Sequence, residues 1–114
     1  MNLNRSTPAT MSKTAFIFPG QGVQRVGMGR DLYDAFPAVR EWMDAASKAA
    51  GIDLVRLCFE GPENELTRTC NAQPAILAAS VAALIALREA LGQAGDALPA
   101  VTAGLSLGEY TALV

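Results

Sequence analysis

The chain contains no histidine, and only two of its 114 residues, Cys58 and Cys70, are cysteine. Zinc sites draw chiefly on these residue types, and no C-x-x-C spacing is present, so no metal site is expected. Two cysteines make no disulfide framework either. The expectation is free thiols, buried or half-buried. Charge is also scarce: 9 Lys and Arg against 11 Asp and Glu leave a net −2. The few basic residues are scattered, which argues against nucleic acid and against an acidic membrane surface. Residues 1–10 are polar and hold no apolar segment of the kind that marks a secretory leader. The longest apolar stretch, Ala75 to Leu87, is broken only by Ser80 and is too short to cross a bilayer. It reads as a buried helix. No repeat, charge block or low-complexity run is present. The expected compartment is the cytoplasm.

What is present is apolar: 51% hydrophobic and 18% charged residues, a globular composition of a size for one small core. Residues 1–12 read as a disordered extension, with Met11 as a second possible start, and residues 13–114 as the folded part. Thr14 to Phe18 is a short apolar run closed by Pro19-Gly20, the pattern of a buried strand entering a turn. Glycines at 20, 22, 27 and 29 make residues 19–29 a loop whose backbone can approach a ligand closely. Asp31 to Phe36 gives a helical turn. Pro37 opens the next helix, Val39, Trp42, Met43 and Ala46 form its apolar stripe, and Gly51 ends it.

Ile52 to Phe59 predicts another helix, broken by Gly61-Pro62. A short acidic turn of helix follows at 62–66. Asn71 to Leu91 predicts the longest helix, with Ile76, Ala79, Ala83, Leu84, Leu87 and Leu91 on the face that packs against a sheet. Ala100 to Ala103 predicts a second buried strand, and Leu107 begins a last helix. The order strand, helices, strand, helix implies an α/β class with parallel strands. Two strands are fewer than a covered parallel sheet needs, so the chain reads as the N-terminal part of a larger domain.

Gly104-Leu105-Ser106-Leu107-Gly108 falls between the second strand and the last helix. A serine there is thrown outward on a sharp turn for which the flanking glycines make room. Exposure is half of what a serine nucleophile requires; a base to take its proton is the other half. The N–H of Leu107, at the start of the helix, could stabilise a developing oxyanion, and the Gln21 turn is the natural source of a second donor. From this motif alone, a plain Gly-Ser turn and an esterase-type elbow both remain open.

Phe18-Pro19-Gly20-Gln21-Gly22, then Gln24 and Gly27-Met28-Gly29, resembles the opening signature of malonyl-CoA:acyl carrier protein transacylases and related polyketide-type acyltransferase domains. Thr69 to Ala75, with Gln73-Pro74-Ala75, looks like their second motif. Gly104 to Tyr110 looks like their third. The resemblance covers Thr14 to Val114 in order and spacing. It implies part of an α/β-hydrolase-like acyltransferase core, with the family's ferredoxin-like subdomain absent from these residues. It also implies a mechanism: Ser106 takes a malonyl group from malonyl-CoA as an ester and yields it to the phosphopantetheine thiol of acyl carrier protein. The backbone N–H groups of Gln21 and Leu107 correspond to the family's oxyanion hole. Gln73 corresponds to a glutamine lining its site; helix capping or packing is the alternative for that side chain. Neither cofactor nor metal is implied.

Leu105 stands where the family usually has histidine beside the nucleophile. The family's general-base histidine and its carboxylate-binding arginine lie beyond the elbow and have no counterpart here. The chain therefore reads as an incomplete copy, a poor catalyst by itself. Fatty-acid synthesis is the setting the resemblance implies; a polyketide-type acyltransferase, or a non-catalytic remnant that binds CoA or carrier protein, is the alternative, and an α/β-hydrolase esterase or thioesterase the more distant one. The Gln21 turn speaks against the hydrolase, whose oxyanion motif differs.

Overall fold

The computed structural model describes residues 13–92 and 99–114. The expected N-terminal extension, residues 1–12, lies outside the described residues. Two strands and six helices follow in the order β1 (Ala15–Phe18), α1 (Arg30–Ala35), α2 (Pro37–Ala50), α3 (Leu54–Glu60), α4 (Glu63–Leu66), α5 (Thr69–Leu91), β2 (Val101–Gly104) and α6 (Gly108–Ala112). β1 and β2 pair in parallel, Ala15 opposite Val101 through Phe18 opposite Gly104. The parallel α/β arrangement matches the expectation. Both strands end level with one another, so the loops that follow them emerge side by side.

Local chemistry accounts for the helix limits. Pro37 occupies the first turn of α2, where no N–H is needed, and Gly51 closes the helix at φ 68°. α3 starts two residues later than the apolar pattern suggests, because Asp53 caps it. The Asp53 carboxylate accepts the Arg56 N–H at 3.0 Å, and the Ser47 hydroxyl accepts the N–H groups of Leu54 and Val55. Three of the four orphan donors of that helix end are thereby satisfied.

The core lies among the helices. Val39 and Met43 of α2, Leu54, Leu57 and Cys58 of α3, and Leu66 of α4 are buried against Ala75, Ala78, Ala82 and Ala86 of α5. The alanines form a smooth surface that lets α2 approach α5 closely, and the Trp42 Nε1–H donates to the Ala78 carbonyl at 2.8 Å across this contact. The face of α5 expected against the sheet does turn toward β1, but across an open groove and not in close packing. Ile76 and Leu84 are buried, but Ala83 is exposed, and Leu87 and Leu91 are 40% and 43% exposed. Ala75, Ala78, Ala82 and Ala86 serve helix packing, whereas Ile76, Ala79, Ser80, Ala83, Leu84 and Leu87 line that groove of about 650 Å³.

The strands are not buried. Ile17 is 78% exposed and Val101 57%. Their apolar sequence reads as interior, but no described element covers that side of the sheet. α5 begins at Thr69 rather than Asn71. Over its 23 residues it is long and apolar enough to cross a membrane by length and composition, contrary to the expectation from the shorter apolar run. Its contacts with α2 and α3 make it the central helix of this core. Cys58 is buried as expected, and burial pushes its thiol pKa up to about 11. Cys70 is exposed, against expectation, at the outward side of the first turn of α5.

Candidate active site

β2 ends at Gly104, and α6 begins at Gly108. The chain reverses between them within Leu105-Ser106-Leu107. Ser106 has φ 53°, the one positive φ among non-glycine residues described. An L-residue held in this left-handed region costs about 1–3 kcal/mol, so surrounding contacts must enforce it. Those contacts are three backbone segments pressed together. A Cβ on Gly104 would overlap the Gly108 carbonyl, one on Gly108 would overlap the Phe18 carbonyl, and one on Gly20 would overlap the Leu105 carbonyl. Only glycine permits these approaches. At Gly20, then, the absent side chain makes room for the serine turn rather than for a ligand.

Hydrogen bonds fix the same junction. The Leu105 N–H donates to the Phe18 carbonyl at 3.4 Å, tying the serine turn to the end of β1. The Gly108 N–H donates to the Leu105 carbonyl at 2.9 Å, and the Glu109 N–H to the Ser106 carbonyl at 3.0 Å, which starts α6. Thr102 Oγ1 donates to the Ala112 carbonyl at 2.8 Å and holds the far end of α6 to β2. The Ser106 side chain is left exposed at the crest of the turn.

The Gly20-Gln21-Gly22 turn lies directly beside it. A Cβ on Gly20 would stand 3.7 Å from the Leu107 nitrogen. Gln21 reaches across to α5, its Nε2 donating to Thr69 Oγ1 at 3.1 Å. The Gly22 N–H donates to the Gln24 side-chain oxygen at 2.8 Å. The N–H groups of Gln21 and Leu107 find no acceptor among the described residues. Two free backbone donors beside an exposed serine oxygen are the components an acyl-transfer centre uses to hold a tetrahedral oxyanion.

Gln73 sits in the second turn of α5 and is exposed. The N-terminus of α5 has no side-chain cap, so the capping alternative for Gln73 is not what the helix uses. Leu105 is 78% exposed. No cluster of three or more His, Cys, Asp or Glu side chains capable of holding a metal occurs among the described residues. Tyr33 is raised from its ordinary pKa by burial, and then by its hydrogen bond to Asp44. Its hydroxyl partners Asp44 on α2, on the helical side of the molecule. Two contributors to the site carried no assigned role in the sequence: Thr69 and Gln24. Their positions inside the matched motifs were the available signal.

The fold and the junction together define a class: an α/β protein that presents a strained serine between a parallel strand and a helix, beside a glycine-rich turn. Residues 15–114 match the acyl transferase domain family, and the chain belongs to that family. It is 49% identical over 104 residues to a malonyl CoA-acyl carrier protein transacylase of Bacillus subtilis (strain 168), covering 91% of this chain and 31% of the relative. It superposes with a TM-score of 0.80 and 48% identity on an acyl-carrier-protein S-malonyltransferase of Burkholderia pseudomallei 1710b, covering 90% of this chain and 32% of that one. The same TM-score, identity and coverage relate it to a malonyl-transacylase solved in complex with a type II PKS acyl-carrier protein. The chain thus spans about a third of the length of the relatives it matches.

Proposed function

We propose that this chain carries the nucleophile half of a malonyl-transferring active site, with residues 13–114 forming part of an α/β-hydrolase-like acyltransferase core. The observation that carries the reading is the strained, exposed Ser106 beside the Gln21 and Leu107 N–H groups, which find no acceptor among the described residues. Ser106 Oγ attacks the thioester carbonyl of malonyl-CoA. A C–O bond forms, the C–S bond breaks, and CoA leaves with the proton. The phosphopantetheine thiol of acyl carrier protein then attacks the malonyl-serine ester. A C–S bond forms, the C–O bond breaks, and the proton returns to Ser106. Both steps pass through an oxyanion that the Gln21 and Leu107 N–H groups would hold. Gln73 would line the acyl site. The reaction calls for no metal or organic cofactor, and cytoplasmic fatty-acid synthesis is the setting that fits it.

The sequence contains no histidine, so the chain itself offers no imidazole to accept the serine proton. That fact favours a second reading, retention of malonyl-CoA or carrier-protein affinity without turnover. One experiment separates them. The full chain is incubated with malonyl-CoA, with and without added imidazole, and Ser106 is followed by peptide mass spectrometry. The expected result is a malonyl adduct on Ser106 that forms at least about tenfold faster with imidazole and is absent in Ser106→Ala. An adduct rate indifferent to Ser106 would remove acyl transfer and leave the binding reading.

A further inference from the structure

We infer that Thr69 and Gln24 are positioning residues that aim the Gln21 N–H at the reaction centre; the inference rests on the acyl-transfer reading of Ser106. The Gly20–Gly22 turn offers two adjacent backbone donors, at Gln21 and Gly22. Gln24 takes one of them: its side-chain oxygen accepts the Gly22 N–H at 2.8 Å. The Gln21 N–H finds no acceptor among the described residues. The short loop between Gly22 and Gln24 therefore selects which donor the site can use.

Orientation needs a second restraint, because Gly22 at φ 114° would otherwise let the turn swivel. Thr69 supplies it from the opposite direction. Its hydroxyl accepts the Gln21 Nε2–H at 3.1 Å across 48 residues of sequence, from the first turn of α5. α5 is anchored by the buried core, so Thr69 is the rigid post of the pair. Gly20, packed against the Leu105 carbonyl, is the third fixed point and lies on the serine turn itself. The loop is thus held to α5, to its own backbone and to the elbow, and Gln21 is the residue these three restraints bracket. A donor misaligned by a fraction of an ångström to an ångström loses much of its effect on a transition state.

The test uses paired variants of the full chain. Thr69→Val keeps the shape of the side chain and removes the acceptor; Thr69→Ser keeps the acceptor. Gln24→Met removes the acceptor on a chain of similar length, and Gln24→Glu retains it. Imidazole-assisted malonylation of Ser106 is expected to slow roughly tenfold in Thr69→Val and Gln24→Met, and to recover in Thr69→Ser and Gln24→Glu. The amide resonances of Gln21 and Gly22 are expected to shift in the first two variants while those of α2 and α3 stay in place. Parental rates in Thr69→Val and Gln24→Met, or turn amides that do not move, overturn the proposal. If the parent chain forms no Ser106 adduct, the acyl-transfer reading fails. The amide resonances then decide the positioning role alone: shifts confined to the turn and elbow uphold it, and unmoved ones overturn it.

Discussion

At the scale of single residues, Ser106 is where the proposed chemistry and stability pull apart. Its φ of 53° is comfortable for glycine and unfavourable for serine. Nothing in the hydrogen bonding of the turn requires the serine side chain, since the neighbouring bonds are all made by backbone groups. Ser106→Gly is therefore expected to stabilise the chain by about 1 kcal/mol while abolishing the malonyl adduct. Ser106→Ala abolishes the adduct and keeps the strain, so its stability stays near the parent's. Urea titration of the three chains checks the order, and a glycine variant no more stable than the alanine variant would mean that the turn is not strained. The sharp serine turn was legible in the sequence, because Gly104 and Gly108 bracket Ser106 after an apolar run. The close approach of Gly20 was not, because the contact it relieves is with a residue far away in the chain.

At the scale of elements, every helix and strand expected from the pattern is present, and the differences lie in where two helices begin and in what covers each element. Periodicity places residues on faces but does not say which face meets a partner. In α5 both faces are apolar, so the helix carries no polar side to betray its orientation. The alanines at 75, 78, 82 and 86 face α2 and α3, and the sheet-facing side opens on the groove. This assignment predicts opposite outcomes for neighbouring substitutions. Ala82→Leu forces a larger side chain into the α2–α5 contact and is expected to cost about 2 kcal/mol. Ala83→Leu adds the same atoms to an exposed position and is expected to fall within about 0.5 kcal/mol of the parent. Thermal denaturation of the pair decides it; equal losses would put the core on the sheet side after all. The strand sequences misled for a related reason: apolar strands signal a covered sheet, and coverage is supplied by elements distant in sequence.

At the scale of the whole molecule, the two halves of the fold differ in how they are held. The helices α2 to α5 enclose the buried side chains, whereas β1 and β2 make a two-stranded parallel ribbon with Ile17 and Val101 in solvent. A two-stranded sheet of four-residue strands is marginal unless something packs on it. Among the described residues only one side of this one is supported, by α6, whose five residues include the buried Thr111, with no partner there for its hydroxyl. Local opening should therefore begin at the ribbon. Amide hydrogen exchange is expected to show protection approaching the global stability for Val39, Met43, Leu57 and Ala82. Phe16, Ile17, Thr102 and Leu105 are expected to exchange at least about a hundredfold faster. The serine turn would open with the ribbon, because Leu105 is hydrogen-bonded to Phe18 at its end. The turn geometry on which the proposed acylation of Ser106 depends is then a property of the closed ribbon, and conditions that tighten strand pairing should raise the proposed acylation rate without changing the helical core. Uniform protection across strands and helices would show instead that ribbon and core open together as one unit.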